Sequence, residues 1–457
     1  MTPPPSAPKP ILFPWGDRGE TLAVSPPSGW PEAEVVWPDL SGAAVDYGEA
    51  LASALANPLG AAPLEGLVGP GAKVAIVVDD PSRWTPVGEA LPQVLGRLHA
   101  AGVRVEDVCI VAGVGRHHAV DPAAMRVRVG DDTAAKYACF SPPVDDRSAY
   151  ADLGATPQHV PIRVFRPVVE ADLRILIGSV LPHLQAGFGG GYKLIFPGAS
   201  HRSTLGALHR QGIAAHEASR LLGSDAKENP MRAAIRDAAA RLGPCVSVSH
   251  VLGPPGKVLR VLTGHPDLVQ DDLAAEARRR FEAPSAPPAD LIAAGNHPWP
   301  GDPLQSFKVL LQHRAACRKG GVLVGFFWTD PAEIDRSFPL PALRAIAAGG
   351  ALGGWFIRRG LSTADRLGEA LGLSAAFMIH WARELVVDRT VLVYAPPLFE
   401  RIGPRLGPVR LFDDQAELWR AAERALGTSD PPRLRIFPQG GLTYAPSRRD
   451  HAMIKGR

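Results

Sequence analysis

One stretch of the chain joins a strand end, a glycine-rich loop and a lysine: Val180-Leu-Pro-His183-Leu-Gln-Ala-Gly187-Phe-Gly189-Gly-Gly191-Tyr-Lys193-Leu-Ile-Phe-Pro197-Gly198. The apolar run Leu173-Arg-Ile-Leu-Ile-Gly-Ser-Val precedes it and predicts a buried strand. His183 should therefore emerge at the carboxyl end of this strand, which is where open α/β sheets bind their ligands.

The loop that follows is rich in glycine, because residues 187, 189, 190 and 191 are all Gly. Without a Cβ, the backbone N–H groups of such a loop can come close to a phosphate or a flat ring. Lys193 then stands among apolar residues, and desolvation there would favour the neutral amine, which is a nucleophile. His209 lies in a helix predicted to begin near Ser203, so its ring should point back at whatever Lys193 holds.

Two earlier strands are predicted to end beside this loop. The run Val74-Ala-Ile-Val-Val-Asp79 is followed by a second acid, and a helix through about Ala101 separates it from the run Val108-Cys-Ile-Val-Ala. Strand, helix and strand in this order predict a βαβ unit with parallel strands. Because parallel strands end at one edge of a sheet, the following residues are expected to share a site: Asp80, Arg83, His117 and His183.

Each of these features also has a more ordinary interpretation. Asp79 and Asp80 precede a proline, which is typical of a turn or a helix cap. The pair His117-His118 is equally typical of an exposed loop, and a single glycine-rich run is most often a flexible turn. A binding site is favoured because polar groups follow three predicted strand ends at once.

Composition restricts the class of protein. The chain has 457 residues, so two domains are expected. Its formal net charge is +3, so no basic surface for nucleic acid is indicated. Its four cysteines show no C-x-x-C spacing, which predicts reduced thiols and a cytoplasmic location. The N-terminus is rich in proline and no apolar run approaches about 18 residues, so neither a signal peptide nor a membrane span is predicted.

A segment rich in Pro and Ala, Glu282-Ala-Pro-Ser-Ala-Pro-Pro-Ala, is the predicted domain boundary. We expect residues 1–281 to form an N-terminal α/β domain with the cofactor loop and the catalytic histidines. Residues 288–426 should form a second α/β domain, and the tail 427–457 is a candidate to return to the first. The predicted fold is two α/β domains with mainly parallel sheets and the active site in the cleft between them.

The second domain is expected to contribute two polar residues. Asp302 followed by Pro303 is typical of a helix start. Gln305 and Lys308 are three positions apart, so they share a face of that helix near its N-terminal end, where an anion is favoured. The alternative interpretation is that both are solvated surface residues.

The residues alone indicate a metal site, an acid/base pair, or both. His117, His183 and His209 are too far apart in sequence for a compact zinc site, and no cysteine pair accompanies them. Two histidines on opposite walls of a cleft suit a reaction that removes a proton on one face of a carbon centre and returns it on the other. That is the chemistry of a racemase.

Together these motifs resemble the nickel-dependent lactate racemase family. The matching pattern is Asp80-x-x-Arg83, Gly115-x-His117, His183-x-x-x-Gly187-x-x-Gly190-Gly191-x-Lys193, Pro197-Gly198, His209 and Gln305-x-x-Lys308. The resemblance implies a racemase or epimerase of a 2-hydroxy acid. Family members commonly have serine where Gly189 stands and Gly-Thr-His-Arg around His117, and the substrate is accordingly left open between lactate and a larger 2-hydroxy acid.

The resemblance also implies a cofactor, the nickel-pincer nucleotide, which is a pyridinium-3-thioamide-5-thiocarboxylic acid mononucleotide that holds nickel. The implied roles are covalent attachment for Lys193, nickel ligation for His209, further cofactor binding for Asp80, Gly187, Gly190 and Gly191, acid/base catalysis for His117 and His183, and substrate binding for Arg83, Gln305 and Lys308. The implied partners are a small 2-hydroxy acid and the enzymes that make the cofactor.

The implied mechanism is proton-coupled hydride transfer through a 2-keto acid. One histidine takes the hydroxyl proton while the C2 hydride moves to the cofactor. The carbonyl carbon then turns its other face, the hydride returns, and the second histidine supplies the proton. Two other classes stay open: an α/β oxidoreductase or lyase with an ordinary nucleotide, and a non-catalytic cofactor-binding homologue. The sequence has no strand followed by G-x-G-x-x-G and a helix, which argues against an ordinary dinucleotide.

Overall fold

The structure is a computed structural model, and it describes residues 9–16, 18–42, 46–115, 119–213, 220–299, 303–337, 344, 348–363, 373–427 and 430–447. Internal contacts distinguish two compact units. The described residues within 40–215 and 223–280 form one, and those within 1–39, 216–222 and 281–457 form the other. We name them the six-stranded unit and the seven-stranded unit after their main sheets.

The described residues form nineteen strands: β1 (Ile11–Trp15), β2 (Glu20–Val24), β3 (Glu34–Val35), β4 (Val74–Asp79), β5 (Val108–Gly113), β6 (Ala138–Phe140), β7 (Tyr150–Ala155), β8 (Pro161–Phe165), β9 (Leu173–Ser179), β10 (Pro182–His183), β11 (Gly187–Phe188), β12 (Cys245–Leu252), β13 (Val258–Gly264), β14 (Ala289–Gly295), β15 (Cys317–Phe326), β16 (Thr390–Tyr394), β17 (Arg405–Leu406), β18 (Val409–Phe412) and β19 (Leu434–Phe437).

The same residues form these α-helices: α1 (Tyr47–Ala56), α2 (Val87–Ala100), α3 (Pro122–Val129), α4 (Asp131–Lys136), α5 (Arg166–Val169), α6 (Arg202–Ile213), α7 (Pro230–Ala239), α8 (Pro266–Phe281), α9 (Pro303–His313), α10 (Pro331–Ser337), α11 (Gly350–Thr363), α12 (Leu373–Val386), α13 (Pro396–Ile402) and α14 (Gln415–Leu426).

The six-stranded sheet has the order β13-β12-β9-β4-β5-β6, and only β13 is antiparallel to its neighbour. Every residue of β4 and β9 is buried, which explains why both strands consist mainly of apolar residues. In β4, Ile76 and Val78 pack into one core with α1 and α2, while Val77 packs into another with α7. Helices therefore cover both faces of this sheet.

The predicted βαβ unit is confirmed in the six-stranded sheet. β4 lies between β5 and β9 and is parallel to both, with Asp79 opposite Gly113 and Val78 opposite Ile177. The three carboxyl ends therefore lie at the same edge, which is where such sheets bind ligands.

The seven-stranded sheet has the order β17-β18-β16-β15-β14-β19-β3 and is parallel except for the β17–β18 pair. Leu418 and Trp419 of α14 pack into one core with Phe326 of β15 and Ile436 of β19. The two sheets together confirm the predicted class, which is α/β with mainly parallel sheets.

The division into units differs from the predicted domains near both ends of the chain. β3 pairs with β19, with Glu34 opposite Arg435, so the described residues of 1–39 lie in the seven-stranded unit. β19 also pairs with β14, so the described part of the tail 427–457 joins β3, which belongs to the predicted first domain, to the sheet of the seven-stranded unit. The pattern gives no local sign of this pairing, because β3 has only two residues and its partner is distant in sequence.

The four cysteines are unpaired. Burial raises the pKa of the Cys109 and Cys317 thiols to about 11, so both are protonated at neutral pH. In the parts of the chain that the structure describes, no helix combines the length and the apolar character needed to cross a bilayer.

Candidate functional site

The glycine-rich loop begins as a tight hairpin in which β10 pairs with β11 and His183 lies opposite Gly187. Gly187 has a φ of +71°, and a Cβ there would lie 2.4 Å from the carbonyl oxygen of Ser224. Both the backbone conformation and the close approach require glycine. The hairpin that orients His183 therefore depends on this residue.

Beyond the hairpin, Gly190 and Gly191 also have positive φ values, +74° and +58°. A Cβ on Gly190 would lie 3.0 Å from the carbonyl oxygen of Ser179, so the loop passes very close to the end of β9. A short 3-10 turn, Gly191–Leu194, then carries the half-buried Lys193, whose N–H donates to the carbonyl of Gly190 at 3.3 Å. The glycines thus fix the backbone from which Lys193 projects.

Two buried amides flank this loop and have unpaired atoms as far as the described residues go. Gln185 is 3% exposed, and neither its Oε1 nor its Nε2 has a hydrogen-bond partner; Gln270 is 5% exposed, and its Oε1 has none. Leaving such a group unpaired costs about 1–3 kcal/mol, so a polar ligand at the loop would relieve an existing deficit. The sequence pattern does not predict a role for either residue, although the position of Gln185 between His183 and Gly187 is a signal.

His183 is half-buried, and its Nδ1 accepts hydrogen bonds from the backbone N–H groups of Gln185 (3.2 Å) and Ala186 (3.0 Å). A ring nitrogen that accepts carries no proton, so the neutral ring has its proton on Nε2. The turn after β10 therefore fixes both the orientation and the tautomer of this histidine.

His209 lies on α6 and is 9% exposed, and its Nδ1 is 2.7 Å from the carbonyl oxygen of Leu205. Because a carbonyl only accepts, Nδ1 is the donor and Nε2 has the lone pair. Metal-binding histidines usually show this arrangement. Among the described residues, no three His, Cys, Asp or Glu side chains are grouped so that they could hold a metal ion by themselves.

The end of β5 contacts the segment that follows Lys193. Gly113 has no room for a Cβ, which would lie 2.8 Å from the carbonyl oxygen of Leu194, and the N–H of Gly115 donates to the carbonyl of Gly198 at 2.9 Å. The predicted catalytic residue His117 follows two positions later and lies outside the described residues.

Asp80 is buried and forms the turn that the alternative interpretation predicted. Its Oδ1 accepts from the N–H of Ser82 at 2.9 Å, and its carbonyl accepts from the N–H of Arg83 at 3.0 Å. This turn places the half-buried Arg83 after β4. The cofactor-binding role of Asp80 and the substrate-binding role of Arg83 stay predictions.

Arg128 of α3 holds this turn in place, a role that the sequence pattern does not predict. Its guanidinium contacts the Asp79 carboxylate and donates to the carbonyls of Asp79 (3.0 Å), Arg83 (2.9 Å) and Thr85 (2.9 Å). Burial lowers the pKa of Arg128 to about 10, which leaves it a cation at neutral pH. No local pattern indicates the role, because the carbonyl groups it binds lie on a distant segment.

Gln305 and Lys308 lie on α9 of the seven-stranded unit, where a helix was predicted to begin. Gln305 is 6% exposed, and the half-buried Lys308 places its Nζ 5.2 Å from the centre of the Trp381 ring, so neither is a fully solvated surface residue. Asp302 lies outside the described residues. The role of this pair in substrate binding stays a prediction.

Comparison with known proteins identifies relatives of this chain. Residues 22–221 match the family model of the lactate racemase N-terminal domain. The chain is 25% identical over 273 residues to a lactate racemase of Thermoanaerobacterium thermosaccharolyticum, covering 59% of this chain and 63% of that protein. It is 27% identical over 161 residues to a lactate racemase of Lactiplantibacillus plantarum, covering 35% and 38%. Over these ranges the chain is similar to lactate racemases.

Solved structures agree with the sequence comparisons on the fold. The lactate racemase apoprotein from T. thermosaccharolyticum superposes with a TM-score of 0.74 at 19% identity, over 96% of this chain and 100% of that one. A crystal structure of a Thermotoga maritima protein gives a TM-score of 0.64 at 14% identity, over 87% and 97%. At these identities the likeness is one of fold.

The lactate racemase match covers one part of the predicted site and ends before the other. Its range, 22–221, contains the predicted residues from Asp80 to His209, including Lys193. Gln305 and Lys308 follow that range, and their assignment depends on the motif alone.

Proposed function

We propose that the chain is a racemase or epimerase of a 2-hydroxy acid, and that it works with a nickel-pincer nucleotide attached to Lys193. The match of residues 22–221 to the lactate racemase N-terminal domain carries this proposal, because that range contains the residues assigned to the cofactor. The alignments cover 63% and 38% of the length of the two curated lactate racemases, so racemase activity is a proposal for this chain.

The residues around the glycine-rich loop fit such a cofactor. Among the described residues, amide atoms of Gln185 and Gln270 have no hydrogen-bond partner, and a polar ligand would supply one. His209 presents a lone pair on Nε2, and imidazole is a suitable ligand for nickel. When bound, the nucleotide would supply an acceptor for the hydride that leaves C2 of the substrate.

Proton transfer falls to the histidines in this proposal. In the described conformation His183 holds its proton on Nε2 and can donate a hydrogen bond there to a substrate oxygen. To take a hydroxyl proton at Nε2, the ring must carry its own proton on Nδ1, so the N–H groups of Gln185 and Ala186 must turn away. We infer that the turn from 183 to 186 shifts when this residue acts as the base. His117 is the proposed second member of the pair.

Substrate binding is assigned to cationic and amide side chains. Arg83 would bind the carboxylate through its planar guanidinium, and Arg128 binds the backbone carbonyl of Arg83 in this turn. Lys308 is proposed as a second cation for the carboxylate, and Gln305 as a ligand for the hydroxyl or carbonyl oxygen.

The test is co-expression with the enzymes that make the cofactor, followed by intact-protein mass spectrometry and an assay of deuterium exchange at C2. The wild type should carry a covalent adduct, and Lys193→Ala should carry none. His117→Ala and His183→Ala should keep the adduct and lose about 10²–10⁴-fold in exchange rate, which is the usual contribution of an acid/base group. Full activity in either histidine variant would contradict the acid/base assignment.

The same assay addresses the substrate and the alternative class. A panel of lactate, larger 2-hydroxy acids and sugar acids separates lactate from a bigger substrate by exchange rate. An unmodified Lys193 with a bound nicotinamide dinucleotide would instead support an oxidoreductase. A cytoplasmic location belongs to the proposal as well, and the four unpaired cysteines support it.

A further inference from the structure

We propose that Arg232 is a positioning residue for the glycine-rich loop, and that it turns the N–H groups of the loop toward the bound cofactor. The identity of that ligand rests on the proposed function, whereas the contacts of Arg232 do not. Arg232 lies on α7 and is 5% exposed. Burial lowers the pKa of Arg232 to about 10, so it remains a cation at neutral pH.

The guanidinium of Arg232 binds four carbonyl groups of the loop. It donates from Nε to Ala186 (3.1 Å), from Nη1 to Gly190 (3.3 Å), and from Nη2 to Gly189 (2.9 Å) and to Phe188. A buried cation is tolerated when dipoles surround it, and here backbone carbonyls supply them. The charge and the loop conformation therefore stabilise each other.

This arrangement determines where the loop N–H groups point. In a trans peptide the C=O and the N–H point in opposite directions. Since the carbonyls of Gly189 and Gly190 face Arg232, the N–H groups of Gly190 and Gly191 face away from it. Two consecutive N–H groups with a buried cation behind them favour an anionic or strongly polar group of a ligand.

The same contacts extend to Lys193 and to the start of α7. The carbonyl of Gly190 accepts from Arg232 and also from the N–H of Lys193, so a shift of the loop moves the backbone that carries the attachment residue. Asn229 caps α7 by accepting from the N–H of Arg232, and it donates to the carbonyl of Gln185 at 2.9 Å. One helix end therefore holds the loop from residue 185 to residue 190.

Arg174 of β9 provides a matched control in the same unit. It is 4% exposed and also binds backbone carbonyls, those of Val168 (2.8 Å) and Val169, which lie outside the glycine-rich loop. The experiment compares Arg232→Met and Arg232→Lys with Arg174→Met and Arg174→Lys. Hydrogen exchange by mass spectrometry, without cofactor, follows residues 186–194 and the strands of the six-stranded sheet. Intact mass then gives the fraction of each variant that carries the adduct after co-expression.

We expect the backbone N–H groups of residues 186–194 to exchange at least tenfold faster in Arg232→Met than in the wild type, with an intermediate rate in Arg232→Lys. Both Arg174 variants should match the wild type in that segment. The adduct fraction should fall at least tenfold in Arg232→Met and remain near the wild-type level in Arg174→Met. Equal hydrogen exchange of residues 186–194 in the Arg232 and Arg174 variants would overturn the proposal. An unchanged adduct fraction in Arg232→Met would also overturn it. So would misfolding of both Arg232 variants while Arg174→Lys folds. If the wild type carries no adduct, the proposed function is contradicted instead. Hydrogen exchange of residues 186–194 then tests the role of Arg232 by itself.

Discussion

His183 and His209 carry their ring protons on opposite nitrogens. The Nδ1 of His183 accepts from two backbone N–H groups, whereas the Nδ1 of His209 donates to the carbonyl of Leu205. The backbone thus presents an N–H at Nε2 of His183 and a lone pair at Nε2 of His209. The first suits contact with a substrate oxygen and the second suits a metal, which is how the two residues are assigned in the proposed function.

This difference in tautomer is measurable without any cofactor. In ¹⁵N-labelled protein above pH 7, long-range ¹H–¹⁵N correlation spectra should show His183 protonated on Nε2 and His209 on Nδ1. His183→Ala and His209→Ala assign the two signals. The same tautomer in both rings would remove the structural basis for their different roles.

Metal binding and covalent attachment should separate in two variants. His209→Ala should keep the adduct mass contributed by the organic part of the cofactor and lose nickel, because it removes the proposed ligand and leaves Lys193 in place. Lys193→Ala should lose both. Intact mass and elemental analysis of each purified variant give the two quantities, and a nickel content in His209→Ala equal to that of the wild type would contradict the ligand assignment.

Arg128 should matter for stability far more than an exposed arginine. Arg128→Met leaves the buried Asp79 carboxylate without its cation, and this should cost about 3–5 kcal/mol of unfolding free energy. The control is Arg97→Met, which breaks a partly exposed pair with Glu65 at 2.8 Å and should cost at most about 1 kcal/mol. Urea unfolding measures both, and equal losses would show that the Asp79–Arg128 contact is not specially stabilising.

His250 should make the six-stranded unit sensitive to mild acid. Its ring lies between the carbonyl of Gly178 (2.9 Å) and the hydroxyl of Tyr47 (2.8 Å), and burial lowers the pKa of His250 to about 4. In the unfolded chain His250 has its ordinary pKa near 6.5 and binds a proton below that pH, whereas in the folded chain it stays neutral until about pH 4. Stability therefore falls as the pH drops from about 6.5 toward 4.

The expected size of this effect is about 2 kcal/mol between pH 7 and pH 5. His250→Gln removes the titrating ring, so its loss of stability over the same interval should be smaller than the wild-type loss by that amount. Urea unfolding at the two pH values provides the comparison. Identical pH dependence in both proteins would mean that His250 is not the group responsible.

The sequence predicts the parts of the site that depend on local pattern. The largely apolar runs at Val74–Asp79, Val108–Gly113 and Leu173–Ser179 predict the three central strands, because strands buried on both faces consist mainly of apolar residues. The glycines at positions 187 and 190 likewise indicate a local feature, because both have the positive φ that glycine adopts without strain.

The parts that sequence analysis missed depend on contacts between distant segments. Arg128 and Arg232 appear in the sequence as ordinary charged residues on helices, and their function comes from backbone carbonyls that the fold brings to them. The pairing of β3 with β19 is hidden for the same reason, because backbone hydrogen bonds leave no mark on side-chain composition.

The place of β19 has a consequence for how the chain is made on the ribosome. It lies between β14 and β3, and it is the last of the described strands to be synthesised. Until residues 434–437 leave the exit tunnel, β3 has no neighbour to pair with and one edge of β14 is open, whereas all strands of the six-stranded sheet have already emerged. All strands of the six-stranded sheet are thus available for pairing before β19 can join β3 to β14.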